Sequence, residues 1–155
     1  MSTMVKSFAI GMIAAMCLPA QMVVLTLSPP MSVLAKHGTS VSVKLPAKMR
    51  DGYHCNSNTP SDEYLIPLKL TWTPVGPLQV ASVNYPTPSL EKYPFSEKPL
   101  SVFSGSFEIL TDLRVAADAK PGQVMLLGKL KYQACDDSKC LPPKTLDVQV
   151  PVIIE

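Results

Sequence analysis

Five segments of this chain alternate apolar and polar residues with a period of two, and no window of a dozen residues shows a helical face. The segments are residues 41–45, 66–72, 107–115, 124–133 and 146–154. This alternation indicates half-buried strands, and turns rich in proline, glycine and aspartate separate them. We therefore predict an all-β chain folded as an immunoglobulin-like antiparallel β-sandwich, with Trp72 in its core and a long irregular loop at 85–99.

A pair of cysteines, Cys135 and Cys140, follows the fourth segment and precedes two prolines. If residues 136–139 form a turn, the cysteines face each other across a hairpin. Opposed residues lie roughly 4.5–5.5 Å apart, within disulfide range. A disulfide that closes a loop of about six residues stabilises a fold by only about 2 kcal/mol. Such a bond contributes little to stability, so its position favours a disulfide that a partner reaches, breaks and forms again. From spacing alone, a structural disulfide, a redox pair and half of a metal site all remain open.

The N-terminal part reads as a targeting segment. Lys6 precedes an uncharged apolar run at residues 8–27, and Val33-Leu34-Ala35 resembles a signal-peptidase site. We predict a signal peptide at 1–35 and a domain at 36–155, exported to the periplasm or otherwise extracytoplasmic, where disulfides persist. The alternative is an uncleaved membrane anchor. Basic residues are scattered, which argues against a nucleic-acid partner.

The segment Tyr132-Gln-Ala-Cys-Asp-Asp-Ser-Lys-Cys-Leu-Pro-Pro143, before a final V-x-V-x-V strand, resembles the N-terminal domain of the thiol:disulfide interchange protein DsbD. Residues 51–67 are similar to that family as well, and the resemblance covers roughly 41–154. It implies an immunoglobulin-like periplasmic domain that takes electrons from a thioredoxin-like domain of a membrane thiol transporter. It also implies that the domain reduces extracytoplasmic disulfide proteins, including those of cytochrome c biogenesis, without a bound cofactor.

The resemblance also assigns roles to individual residues. It implies that Cys135 and Cys140 are the redox-active, catalytic pair, with Cys140 as the attacking thiol. It implies that Phe95 belongs to a loop that caps the pair and that His54 and Asn56 lie beside it, and Tyr132 at the start of the motif is a further candidate for the site lining.

The charges around the pair agree with that assignment. Asp136 and Asp137 beside Cys135 disfavour its thiolate, whereas Lys139 favours the thiolate of Cys140, and the thiolate is the reactive form. We expect an oxidoreductase-type protein. The resemblance extends over neither the membrane domain nor the thioredoxin-like domain of the full transporter. We therefore expect either a free-standing module whose redox partner is encoded separately, or a remnant of the transporter with another task.

Two other classes of function stay open. The first is a non-enzymatic extracytoplasmic binding module in which the disulfide is structural. The second is metal capture by Cys135, Cys140, Cys55 and His54, since thiolates and imidazoles suit zinc or copper. Cys17 leaves with the predicted signal peptide, so Cys55 is left over if the last two cysteines pair. We expect Cys55 to be a buried thiol, and the alternatives are a third redox cysteine and an intermolecular link.

Overall fold

The structure, a computed structural model, describes residues 22–155, and within that range every regular element is a β-strand. The twelve strands of these residues are β1 (Leu25–Leu27), β2 (Val33–Ala35), β3 (Ser40–Met49), β4 (His54–Asn56), β5 (Lys69–Trp72), β6 (Leu78–Asn84), β7 (Ser89–Glu91), β8 (Leu100–Ser104), β9 (Ser106–Val115), β10 (Gly122–Tyr132), β11 (Ala134–Cys135) and β12 (Lys144–Ile154). They confirm the predicted all-β class. No helix in this part of the chain is long and apolar enough to cross a membrane.

The strands form three four-stranded sheets. The first has the order β1-β3-β9-β6, the second β2-β12-β10-β5 and the third β11-β4-β8-β7. All pairs are antiparallel except β2 with β12. Apolar side chains from the first two sheets share one core, so these sheets make the predicted sandwich. The third sheet is smaller and carries the cysteine pair at its β11 edge.

Trp72 ties the two larger sheets together. Its ring is buried, as predicted, and its Nε1–H donates a 2.9 Å hydrogen bond from β5 to the Thr111 hydroxyl on β9. Gly128 lies opposite Trp72 on the neighbouring strand, where a Cβ atom would approach the indole Cε3 to 2.5 Å. The absence of a side chain at position 128 therefore makes room for the indole.

The structure confirms the long strands that the sequence predicts, and it also contains short strands that the sequence did not predict. Strands β3, β9, β10 and β12 cover four of the five alternating segments, while the fifth is a strand only over Lys69–Trp72. The predicted loop at 85–99 was wrong at Ser89–Glu91, which pairs with β8 as the edge strand of the third sheet. Strands of three residues are too short to show a period.

The predicted signal peptide lies partly outside the described residues, which begin at Met22. Its remaining part contains two strands: β1 pairs with β3, and β2 pairs with the end of β12. Leu25 is only 1% exposed and belongs to the main core. Cleavage after Ala35 stays a prediction, and it would remove both strands from the sandwich.

Candidate functional site

The cysteine pair lies just after the long strand β10, at the end of the short strand β11. Gln133 separates the two strands, and its side-chain Nε2 donates to the Leu141 carbonyl at 3.1 Å. The Leu141 N–H donates to the Ala134 carbonyl at 2.8 Å. These two hydrogen bonds hold the segment at Leu141 beside β11 and place Cys140 opposite Cys135.

The four residues between the cysteines form the predicted turn, and one side chain organises it. The Asp136 carboxylate accepts hydrogen bonds of 2.9 Å from the Ser138 and Lys139 N–H groups and one of 2.8 Å from the Ser138 hydroxyl. The Asp136 N–H in turn donates to the Lys139 carbonyl at 2.9 Å. These bonds lower the pKa of the Asp136 carboxyl, because they favour its charged form. The turn thus has its own hydrogen-bond network.

The two cysteines are joined in a disulfide with an S–S distance of 1.99 Å. Their Cα atoms are 3.9 Å apart, somewhat closer than expected for the hairpin. The two ends differ in environment: Cys135 is 2% exposed and therefore buried, whereas Cys140 is exposed. Cys140 is therefore the more accessible of the two cysteines.

His54 is the next residue in the same cross-strand row. Strand β4 pairs with β11 so that His54 opposes Cys135, and it pairs with β8 so that His54 opposes Ser104. Opposed residues share a sheet face, so the row Cys140, Cys135, His54 and Ser104 lies on one face. The imidazole is 3% exposed, and its Nε2 has no hydrogen-bond partner among residues 22–155.

The charge state of this imidazole is set by burial. Desolvation lowers the pKa of His54, and it outweighs the opposite influence of the carboxylates of Glu91, Asp137 and Asp136. The imidazole is therefore neutral near pH 7. Those three carboxylates nevertheless lie close enough to favour a charged imidazole if one forms.

Two aromatic rings stack outward from His54. The imidazole and the Tyr93 ring have centroids 4.0 Å apart at an angle of 18°, and Tyr93 stacks on Phe95 at 5.5 Å and 13°. The Tyr93 hydroxyl donates to Glu91 Oε2 at 2.6 Å. Burial, followed by this hydrogen bond, raises the pKa of Tyr93. Phe95, the predicted cap residue, is the outer ring of the stack and is 45% exposed.

Sequence reasoning missed Tyr93. The signal was present in the segment Lys92-Tyr-Pro-Phe95, which places two aromatic residues one position apart. Only the pairing of β4, β8 and β7 shows that the first of them, rather than Phe95, stacks directly on His54.

The other two predicted lining residues have partners in the framework. Asn56 is buried, and its Nδ2 donates to the Ile66 carbonyl at 3.1 Å, which fixes the loop between β4 and β5. Tyr132 is buried in the main core beside the Leu25 backbone and Cys55, and desolvation raises its pKa. Both residues support the strands that carry the cysteine pair.

Cys55 is fully buried as a free thiol, and burial raises its pKa to about 12. It neighbours His54 on β4, so the two side chains point to opposite faces of the sheet. Cys55 thus faces away from the disulfide, and two further proposed metal ligands, Cys135 and Cys140, are already bonded to each other. This arrangement does not support a shared metal site, and residues 22–155 contain no group of three or more candidate metal-binding side chains.

Comparison with solved structures gives distant matches. The N-terminal periplasmic domain of ScsB from Proteus mirabilis is 14% identical, with a TM-score of 0.50; the match covers 82% of this chain and 44% of that one. The chain thus spans less than half of that protein's solved length, and the likeness supports the fold. A family 123 glycoside hydrolase from Clostridium perfringens (15% identity, 86% and 27% coverage, TM-score 0.36) and the CooA pilin subunit from enterotoxigenic Escherichia coli (13%, 86% and 99%, 0.33) match more weakly and carry no argument.

Comparison of the sequence with known proteins and family models identifies the family of this chain. No curated protein matches this chain. The family model described as thiol:disulfide interchange protein DsbD, N-terminal, matches residues 24–151, which is most of the chain and includes the disulfide hairpin. The match also begins inside the predicted signal peptide, at the residue that precedes β1. The chain therefore belongs to the family of DsbD N-terminal domains.

Proposed function

We propose that this protein is an exported thiol-disulfide exchange module of the periplasm in which Cys135 and Cys140 carry two electrons. The electrons would come from a membrane thiol transporter or a thioredoxin-like protein and would pass to extracytoplasmic disulfide proteins. No bound cofactor is needed, because the dithiol itself is the electron carrier. Family membership and the disulfide at the edge of the third sheet support this function.

The observation that carries the proposal is the unequal exposure of the two cysteine residues, since Cys135 is buried and Cys140 is exposed. A partner thiolate attacks the exposed Cys140 sulfur, the Cys135–Cys140 bond breaks, and Cys135 leaves and takes up a proton. The second thiol of the partner then attacks the mixed disulfide. The partner ends as a disulfide and the module as two thiols, so that two electrons have moved. Electron delivery runs through the same steps in reverse.

The aromatic stack is a candidate cover for this chemistry. Tyr93 lies on His54, beside the row that contains the disulfide, and Phe95 extends the stack to the surface. In our proposal Phe95 limits access to the pair until a partner displaces it. Replacement of Phe95 by alanine should then speed the reaction of the pair with small disulfides and thiols.

Trapping with single-cysteine variants tests the proposal. Cys135→Ala leaves the exposed Cys140 thiol and should form a stable mixed disulfide with a thioredoxin-like protein that carries one active-site cysteine. Cys140→Ala leaves only the buried Cys135 and should trap the same partner far more slowly, which makes it the matched control. If neither variant forms a mixed disulfide, the exchange function is wrong.

The reduction potential separates this function from that of a binding module with a structural disulfide. We expect a value in the range of known exchange proteins, roughly −120 to −270 mV. A value below about −300 mV would instead mark a bond that resists exchange and would favour the binding module.

A further inference from the structure

The position of His54 points to proton chemistry at the buried cysteine. His54 and Cys135 are opposed across the β4–β11 pair, which places their Cβ atoms roughly 4.5–5.5 Å apart on the same sheet face. Cys140 lies one position further along that row, beyond Cys135. The imidazole therefore neighbours the buried cysteine, not the exposed one that a partner attacks in our proposal.

The Nε2 atom of this imidazole is a buried polar atom without a hydrogen-bond partner in the described part of the chain. Such atoms cost stability, and those that persist in a fold often mark functional sites. In the oxidised state, Cys135 has no S–H group to offer. Reduction creates a thiol at Cys135, the residue opposed to His54, and the imidazole then has a neighbouring group with which it can exchange a proton.

We propose that His54 is the acid–base group of Cys135, a role that rests on the proposed exchange function. When the module delivers electrons, Cys140 and a partner cysteine form a mixed disulfide. Nε2 removes the proton of the Cys135 thiol, whose sulfur attacks Cys140. The Cys135–Cys140 bond forms, the bond to the partner breaks, and the electron pair leaves with the partner sulfur. The imidazolium releases its proton to solvent and the partner thiolate takes one up, so the protons balance.

The charges around His54 suit a base that is charged only briefly. Burial keeps the resting imidazole neutral, with the lone pair that a base requires. Carboxylates lie on both sides of β4, Glu91 on β7, which is two strands away, and Asp136 and Asp137 in the turn after β11, and they favour the imidazolium when it forms. Tyr93, the remaining titratable group packed on the ring, stays neutral because its pKa is raised.

Stopped-flow reaction of the reduced protein with the aromatic disulfide DTNB isolates this step. Attack by Cys140 releases the first thionitrobenzoate, and attack by Cys135 on the resulting mixed disulfide releases the second, in a phase independent of DTNB concentration. His54→Phe keeps a ring for Tyr93 to stack on, and His54→Gln keeps a polar side chain. His37→Gln is the matched control, because His37 is the other histidine of the chain and is exposed.

We expect both His54 variants to slow the second phase at least ten-fold, since a positioned base contributes about 10²–10⁴-fold, and to leave the first phase within two-fold of the original protein. The control should change neither phase. A second phase that keeps its rate in both His54 variants would overturn the inference. Failure of both Cys135→Ala and Cys140→Ala to trap a protein partner would instead remove the exchange function, so the two failures are distinguishable.

The original protein provides a second readout that needs no substitution. If His54 is the base, the second phase rises with pH only until the imidazole is neutral and is constant above about pH 7. If Cys135 must ionise by itself, the rate climbs through about pH 8–9, where free thiols titrate. The latter profile would also overturn the inference.

Discussion

Reduction of the disulfide should leave the domain folded, and the structure gives the size of the effect. Cys135 and Cys140 are five positions apart, so their bond closes a loop of six residues. The chain-entropy model gives such a loop about 2.2 kcal/mol at 25 °C, compared with about 4.7 kcal/mol for a loop of 100 residues. Domains of this size are typically stable by about 5–15 kcal/mol. The hydrogen bonds of the Asp136 turn do not involve the sulfur atoms, so we expect them to persist after reduction.

Urea unfolding of the oxidised and the dithiothreitol-reduced protein, followed by the fluorescence of Trp72, measures this difference. We expect the free energy of unfolding to fall by about 2 kcal/mol with a cooperative transition in both states. By linkage, the same difference places the reduction potential of the folded pair about 45 mV below that of the unfolded chain. A loss above about 4 kcal/mol, or a reduced chain without a cooperative transition, would refute the reasoning and identify a structural bond.

Three further predictions concern the N-terminus, the third thiol and the buried imidazole. A chain that begins at Met22 should be more stable by at least about 3 kcal/mol than one that begins at Lys36, because only the first retains the buried Leu25 and its neighbours; equal urea midpoints would show that β1 and β2 are dispensable. Iodoacetamide at pH 8 should leave Cys55 unmodified in the reduced native protein and alkylate it in urea, because a pKa of about 12 leaves a thiolate fraction of about 10⁻⁴; peptide mapping that finds Cys55 modified as fast as Cys140 would contradict this. The folded state lowers the pKa of His54 below its unfolded value of 6.5, so the unfolded chain binds more protons and stability falls as the pH drops below about 6.5; urea titrations at pH 7.5 and 5 should show a larger loss for the original protein than for His54→Phe, and equal losses would contradict the shift.

The long strands could be predicted because each buries one face only. Strands β9, β10 and β12 place buried and accessible residues at alternate positions over most of their length, which is the pattern that periodicity detects. Strand β4 could not be found in this way, because all three of its residues are buried. The third sheet therefore escaped sequence reasoning, although it positions the cysteine pair.

The site was predicted as far as its contacts are local in sequence. Cys135 and Cys140 are separated by one turn, so their closeness follows from spacing, although spacing alone left open whether they form a disulfide or hold a metal. The stacking of Tyr93 on His54 joins residues 39 positions apart and depends on how three short strands pair, which no local pattern encodes. The predicted cap role of Phe95 came from family resemblance and stays a prediction.

The apolar side chains that pack with Tyr93 are separate from those of the sandwich. Tyr93, Leu100 and Val102 form a small cluster with the half-buried Leu65, apart from the core that the two larger sheets share. Regions with few buried contacts open locally at a lower free energy than global unfolding. We therefore expect the edge strand Ser89–Glu91 and the stack to detach while the sandwich stays intact, and their amide hydrogens to exchange with solvent before those of β10 and β12. Local opening of this kind would admit a partner to the disulfide without loss of the scaffold that presents it.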